Sequence, residues 1–146
     1  MKEFIVSYIA DLDKVADYVV NHITKSKIIL LTGEMGSGKT TFVNSFVKIL
    51  GSKDQVSSPT FSIVNEYIAS GFKIYHFDLY RLLHIKELQE IGFEEYLDGE
   101  NYCIIEWPEL AFPLLPNNFV SIDIQLTTNE IRRFAVSNTT NISKEL

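Results

Sequence analysis

Gly33-Glu34-Met35-Gly36-Ser37-Gly38-Lys39-Thr40 follows the spacing G-x-x-x-x-G-K-[ST], and each fixed position has a task in holding a polyphosphate. Glycines at 33, 36 and 38 let the backbone take positive φ angles, so that successive N–H groups turn inward as an anion nest at a helix N-terminus. Lys39 then brings a point charge to the β- and γ-phosphates, and the Thr40 hydroxyl is a ligand for Mg²⁺. Glu34, Met35, Gly36, Ser37, Gly38 and Thr41 complete the lining of that cradle.

A phosphate loop of this kind works only between a buried strand and a helix. Lys27 to Leu31 is an apolar, β-branched run that reads as a parallel strand. Phe42, Val43, Phe46, Val47 and Leu50 fall at helical spacing, with Gly51 in the stop position.

Magnesium takes hard oxygen ligands, so a carboxylate is expected from the end of a neighbouring strand. Glu106 ends the apolar run Tyr102-Cys103-Ile104-Ile105, and Asp78 ends the more alternating run Lys73-Ile74-Tyr75-His76-Phe77. Either acid can serve on the metal while the other orients water, and spacing does not say which. Thr60 lies in the polar segment Ser57-Ser58-Pro59-Thr60, where γ-phosphate sensors sit; ordinary loop chemistry would look the same. His76 and Asp78 share a strand face, but with no close-spaced third ligand they do not read as a zinc site. Trp107 after Glu106 fits packing, a partner contact or base stacking equally well.

The other elements follow from periodicity. Glu3 to Ile9 reads as an edge strand, followed by a helix with an apolar stripe of Leu12, Val15, Ala16, Val19, Val20 and Ile23 behind Asp11 as N-cap. Phe61 to Tyr67 and Lys73 to Asp78 form an antiparallel hairpin across Ala69-Ser70-Gly71. A helix around Ile85 and Leu88 ends near Gly92. Val120 to Leu126 alternates strictly, and Ile131 to Val136 pairs back onto it. The expected fold is α/β: a single P-loop NTPase domain over 1–137, with a mixed sheet of parallel core and antiparallel hairpin additions flanked by helices, and a polar tail over 138–146.

Composition sets limits. The chain has 146 residues, 46% hydrophobic, enough for one core and no separate substrate domain. No run approaches the length of a membrane span and no leader is evident, and the lone Cys103 sits in an apolar strand as a structural thiol; a reducing cytoplasm is the expected setting. With 13 Lys and Arg against 19 Asp and Glu, the net charge is −6. That balance argues against tight, direct binding of RNA or DNA, whose affinity rests on phosphate neutralisation, so any link to nucleic acid runs through a partner.

Neither N-K-x-D nor D-x-x-G occurs, which favours ATP over GTP. A small-molecule kinase would use the same cradle but commonly adds an arginine-rich lid, whereas Arg81, Arg132 and Arg133 are scattered. A nucleotide-gated binding module without required turnover is the remaining alternative.

Four blocks in order, the loop extended to Thr41, Ser58-Pro59-Thr60-Phe61, Tyr75-His76-Phe77-Asp78-Leu79-Tyr80-Arg81 and Ile105-Glu106-Trp107, make the chain similar to the TsaE (YjeE) family. The resemblance covers nearly the whole length. It implies an ATPase of slow intrinsic turnover that works in the cytoplasm with TsaB and TsaD on threonylcarbamoyladenosine modification beside the tRNA anticodon. It further implies Lys39 and its loop on the phosphates, Thr40 and Glu106 as metal ligands, Thr60 and Asp78 as switch and catalytic pair, and adenine contacts near Leu12 and from Arg132.

Overall fold

The computed structural model describes residues 1–23, 26–59, 62–128 and 130–140. Seven strands form one sheet: β1 (Lys2–Val6), β2 (Ile28–Gly33), β3 (Val64–Ala69), β4 (Phe72–Asp78), β5 (Tyr102–Glu106), β6 (Asn118–Leu126) and β7 (Arg132–Thr140). Their order is β1-β7-β6-β2-β5-β4-β3. The central β6-β2-β5-β4 block is parallel, and β7, β1 and β3 join antiparallel. The mixed α/β architecture expected from sequence is therefore what the chain adopts.

The alternation of side chains splits the core between the two faces of the sheet. Ile29, Leu31, Ile104, Val120 and Ile122 meet the stripes of α1 (Leu12–His22) and α2 (Lys39–Ile49) on one side. There Phe42 packs against Phe134 with ring centres 5.7 Å apart. Ile28, Leu30, Cys103 and Ile105 face the other way, against Leu88 of α3 (Ile85–Glu90) and the short turns that follow. Cys103 is fully buried there, and desolvation pushes its thiol well above the usual cysteine range, so it is an inert packing group.

Gly51 at φ 93° ends α2 as expected, with its amide on the Lys48 carbonyl (3.0 Å) and that of Ser52 on Val47 (3.1 Å). Other boundaries differ from the pattern-based ones. β1 stops at Val6 rather than Ile9, because the Asp11 carboxylate accepts the Ser7 and Tyr8 amides (3.0 Å each) and turns the chain into a 3-10 turn. Asp11 thus caps that turn, not α1, where it has helical angles and no capping bond. The Tyr8 and Ser7 amides hold its carboxyl below the ordinary aspartate range.

β3 begins at Val64, and of its expected start Phe61 lies outside the described residues. β7 runs to Thr140, past the expected end of pairing at Val136, because Ser137 and Asn138 pair with Ser121 and Val120. Ladder bonds outweigh polar composition at that edge. No helix among the described residues is long and apolar enough to cross a membrane.

Candidate nucleotide site

Because β2, β4, β5 and β6 are parallel, their C-terminal ends share one edge of the sheet, where α/β folds leave a crevice for ligands. The loop from Gly33 to Gly38 leaves β2 at that edge and enters α2 directly. Gly33, Gly36 and Gly38 have φ of 153°, 79° and 108°. A Cβ on Gly33 would stand 2.6 Å from Ser37 Oγ and 2.8 Å from the Ile124 carbonyl, so only glycine closes this turn. Gly33→Ala is expected to cost about 1–3 kcal/mol of stability; a melting temperature equal to wild type would refute the close approach.

Lys39 is buried, and its Nζ donates to the Gly33 carbonyl (2.5 Å) and the Glu34 carbonyl (3.2 Å), folding the ammonium back over the loop. Burial lowers its pKa from the ordinary lysine value, while Glu106 and Asp78 pull it back up. The ammonium also lies 4.2 Å from the ring centre of Trp107, whose backbone has a left-handed φ of 55°. Ser37 Oγ is buried without a hydrogen-bond partner among the described residues, a polar atom in the wall of the glycine loop.

Asp78 and Glu106 are register partners on β4 and β5, and Glu106 pairs with Leu31 on its other side. Both acids face α2, the side shared by Ile74 and Ile104. Thr40 Oγ1 donates to Glu106 Oε2 at 3.5 Å, so hydroxyl and carboxylate converge on one point beside the loop. Asp78 is oriented by the Ser58 hydroxyl (3.3 Å) and the Tyr80 amide (3.0 Å). Lys39, Thr40, Asp78 and Glu106 line a common cleft of about 300 Å³. Such a donor set, one hydroxyl and two carboxylates beside a phosphate nest, fits Mg²⁺ held together with phosphate oxygens.

Arg132 Nε donates to the Ser37 carbonyl (2.7 Å), so the first residue of β7 braces the loop from outside. Leu12, Thr41 and Arg132 line a second, more apolar pocket of about 550 Å³, which shares Gly38 with the phosphate cleft. Leu12 and Arg132, far apart in sequence, thereby come together beside the loop. Glu34, Met35 and Gly36 are exposed at its tip. Thr60 lies outside the described residues. Arg81 lines an adjoining pocket together with Ser58, Asp78 and Tyr80.

Sequence reasoning set His76 on a strand face with Asp78 without giving it a role, and it missed Tyr67. His76 is fully buried, with Nε2 at 2.5 Å from Glu106 Oε2 and Nδ1 at 3.0 Å from the Tyr67 hydroxyl. Alternation shows only that His76 shares a strand face with Ile74 and Asp78; that this face lies under α2, where a buried imidazole must be bonded, follows from the sheet order.

A family model described as threonylcarbamoyl adenosine biosynthesis protein TsaE matches residues 6–134. The chain is 38% identical over 120 residues to the tRNA threonylcarbamoyladenosine biosynthesis protein TsaE of Rickettsia conorii, covering 82% of this chain and 68% of that one. It is 34% identical over 125 residues to the protein of the same name from Haemophilus influenzae, with 86% and 78% covered. Among solved structures, the crystal structure of YdiB from Bacillus subtilis superposes with a TM-score of 0.74 at 25% identity, over 99% of this chain and 88% of that one. By both the extent of the family match and the identity of its relatives, the chain belongs to the TsaE family.

Proposed function

We propose that this protein binds ATP with Mg²⁺, hydrolyses it slowly, and acts as a nucleotide-dependent switch on a TsaB–TsaD complex during threonylcarbamoyladenosine modification of tRNA in the cytoplasm. The observation that carries the nucleotide part is the convergence of Thr40 and Glu106 beside a glycine loop built to receive phosphate. The relatives' names support the pathway. The negative balance of the chain supports a role in which partners hold the tRNA.

The loop amides and Lys39 bind and orient the phosphate tail, and the Leu12–Arg132 pocket beside Gly38 receives the base. Thr40 and Glu106 would hold the magnesium, which would supply neutralisation of phosphate charge. Asp78, oriented by Ser58 and Tyr80, positions the attacking water. Thr60, in the segment 58–61, serves as the γ-phosphate sensor that reports nucleotide state to the partner.

Reconstituted tRNA modification with TsaB and TsaD, with and without this chain and ATP, is the direct test. Modification that proceeds equally without the chain would overturn the pathway role. A product formed only with a small phosphate acceptor would favour a metabolite kinase instead. On the isolated protein, phosphate bound against Lys39 should change the electrostatic surroundings of Trp107, the chain's one tryptophan, whose ring centre lies 4.2 Å from the ammonium. Its emission is therefore expected to change with MgATP in wild type and not in Lys39→Ala; a spectrum indifferent to saturating ATP would count against phosphate binding beside Lys39.

A further inference from the structure

The Glu106 carboxylate is 3% exposed, and a buried carboxylate is tolerated only where neighbours bond it. Its close partner is His76 Nε2 at 2.5 Å. The other ring nitrogen of His76 meets the Tyr67 hydroxyl at 3.0 Å, and that hydroxyl donates to the Ser57 carbonyl at 3.0 Å. Asn65 Nδ2 donates to the same carbonyl at 2.9 Å. The next residue, Ser58, donates its hydroxyl to Asp78. Both acids of the cleft are thus attached to one dipeptide: Asp78 directly, and Glu106 through two buried side chains that span β3 and β4. Burial keeps the Tyr67 phenol above its ordinary pKa, so it remains a hydroxyl able to donate.

We propose that Tyr67 and His76 are positioning residues that lock the Glu106 carboxylate to the Ser57 backbone, so that the metal ligand and the loop at Ser57-Ser58 move as one unit. The inference rests on the ATP and magnesium reading above and names how a change at the metal reaches the loop. Glu106 holds the imidazole, the imidazole holds the phenol and the phenol holds the loop, so a metal at Glu106 would be felt at Ser57 through these residues. In the opposite direction, a partner that pulls on the loop loosens Glu106. Sharing of a buried network in this way is what gives two sites a coupling free energy.

The test measures ATP affinity by calorimetry in EDTA and in Mg²⁺, and amide exchange of segment 56–59 with and without MgATP. It compares wild type with Tyr67→Phe, His76→Ala and His76→Gln. ATP affinity in EDTA is expected to stay within about twofold, because the phosphate loop is untouched. The gain in affinity from Mg²⁺ should fall about threefold in Tyr67→Phe and about tenfold in His76→Ala, the scale of a lost buried hydrogen bond. MgATP should no longer protect segment 56–59 in either.

Glutamine at 76 can offer an amide to Glu106 but has no second nitrogen for Tyr67. His76→Gln is therefore expected to recover the magnesium gain and not the loop protection, a split that general destabilisation does not produce. Should His76→Ala not fold, Tyr67→Phe, which keeps the ring, and His76→Gln carry the test. If both retain the full magnesium gain and full protection while Glu106→Gln loses the gain, the positioning role is wrong and the ATP reading stands. If wild type takes up no ATP, the underlying reading fails first.

Discussion

Lys39→Ala is expected to lower ATP affinity about 10- to 100-fold, to the point where calorimetry at micromolar protein detects little heat. The lost interaction is a charge-assisted contact to phosphate inside a nest that otherwise offers neutral amides, worth about 1.5–3 kcal/mol when one partner is removed. The ammonium is already aimed: burial and its bonds to the Gly33 and Glu34 carbonyls hold it at the loop before nucleotide arrives. That pre-positioning reduces the entropy a long side chain loses on binding.

Two effects oppose each other in the variant. Alanine suits the start of α2, which favours folding. The freed Gly33 and Glu34 carbonyls lose a donor, which loosens the loop. Melting temperature is expected to move by only a few degrees, so a large affinity loss can be assigned to the missing charge. An affinity within about threefold of wild type would mean that phosphate does not sit against Lys39, and the nucleotide reading would fall with it.

The phosphate loop was legible in sequence because its task fixes residue types at each position: glycines where φ is positive, lysine and threonine where charge and hydroxyl are needed. The β5 run and Glu106 were legible for a similar reason, since a strand buried on both faces reads as unbroken apolar residues ending in an acid. What sequence could not supply was register. Asp78 and Glu106 are opposite one another only because β4 lies beside β5, and nothing in either run states that adjacency.

The same missing information hid His76. As one polar residue in an alternating strand it resembles a solvent-facing position, and only the sheet order puts it beneath α2 with Tyr67 and Glu106. Boundary differences have local causes instead. Asp11 captured two amides ahead of α1, and the polar end of β7 gained a partner strand that composition does not reveal.

Glu106→Gln is expected to keep ATP binding within about tenfold of wild type and to lower turnover about 10²–10³-fold, the scale set by losing one preorganised electrostatic contact in a phosphoryl-transfer site. The change is close to isosteric, and an amide can still meet Thr40 and His76, so the packing around β5 survives. What disappears is the negative charge that, on the proposed reading, would hold a divalent ion together with the Thr40 hydroxyl beside it. Asp78→Asn should lower turnover to a similar degree, but for a different reason. Its carboxylate is turned by Ser58 and Tyr80 rather than by Thr40, which suits the orientation of water more than the holding of metal.

Magnesium titration separates the two roles. If Glu106 is the metal ligand, the Mg²⁺ concentration for half-maximal turnover rises in Glu106→Gln and stays near wild type in Asp78→Asn; the reverse pattern exchanges the assignments. Hydrolysis at the wild-type rate by both variants, measured with TsaB and TsaD present so that partner stimulation is included, would show that neither acid carries the chemistry. The convergence of Thr40 and Glu106 would then be a structural contact at a strand end, and the switch would have to run on nucleotide binding alone.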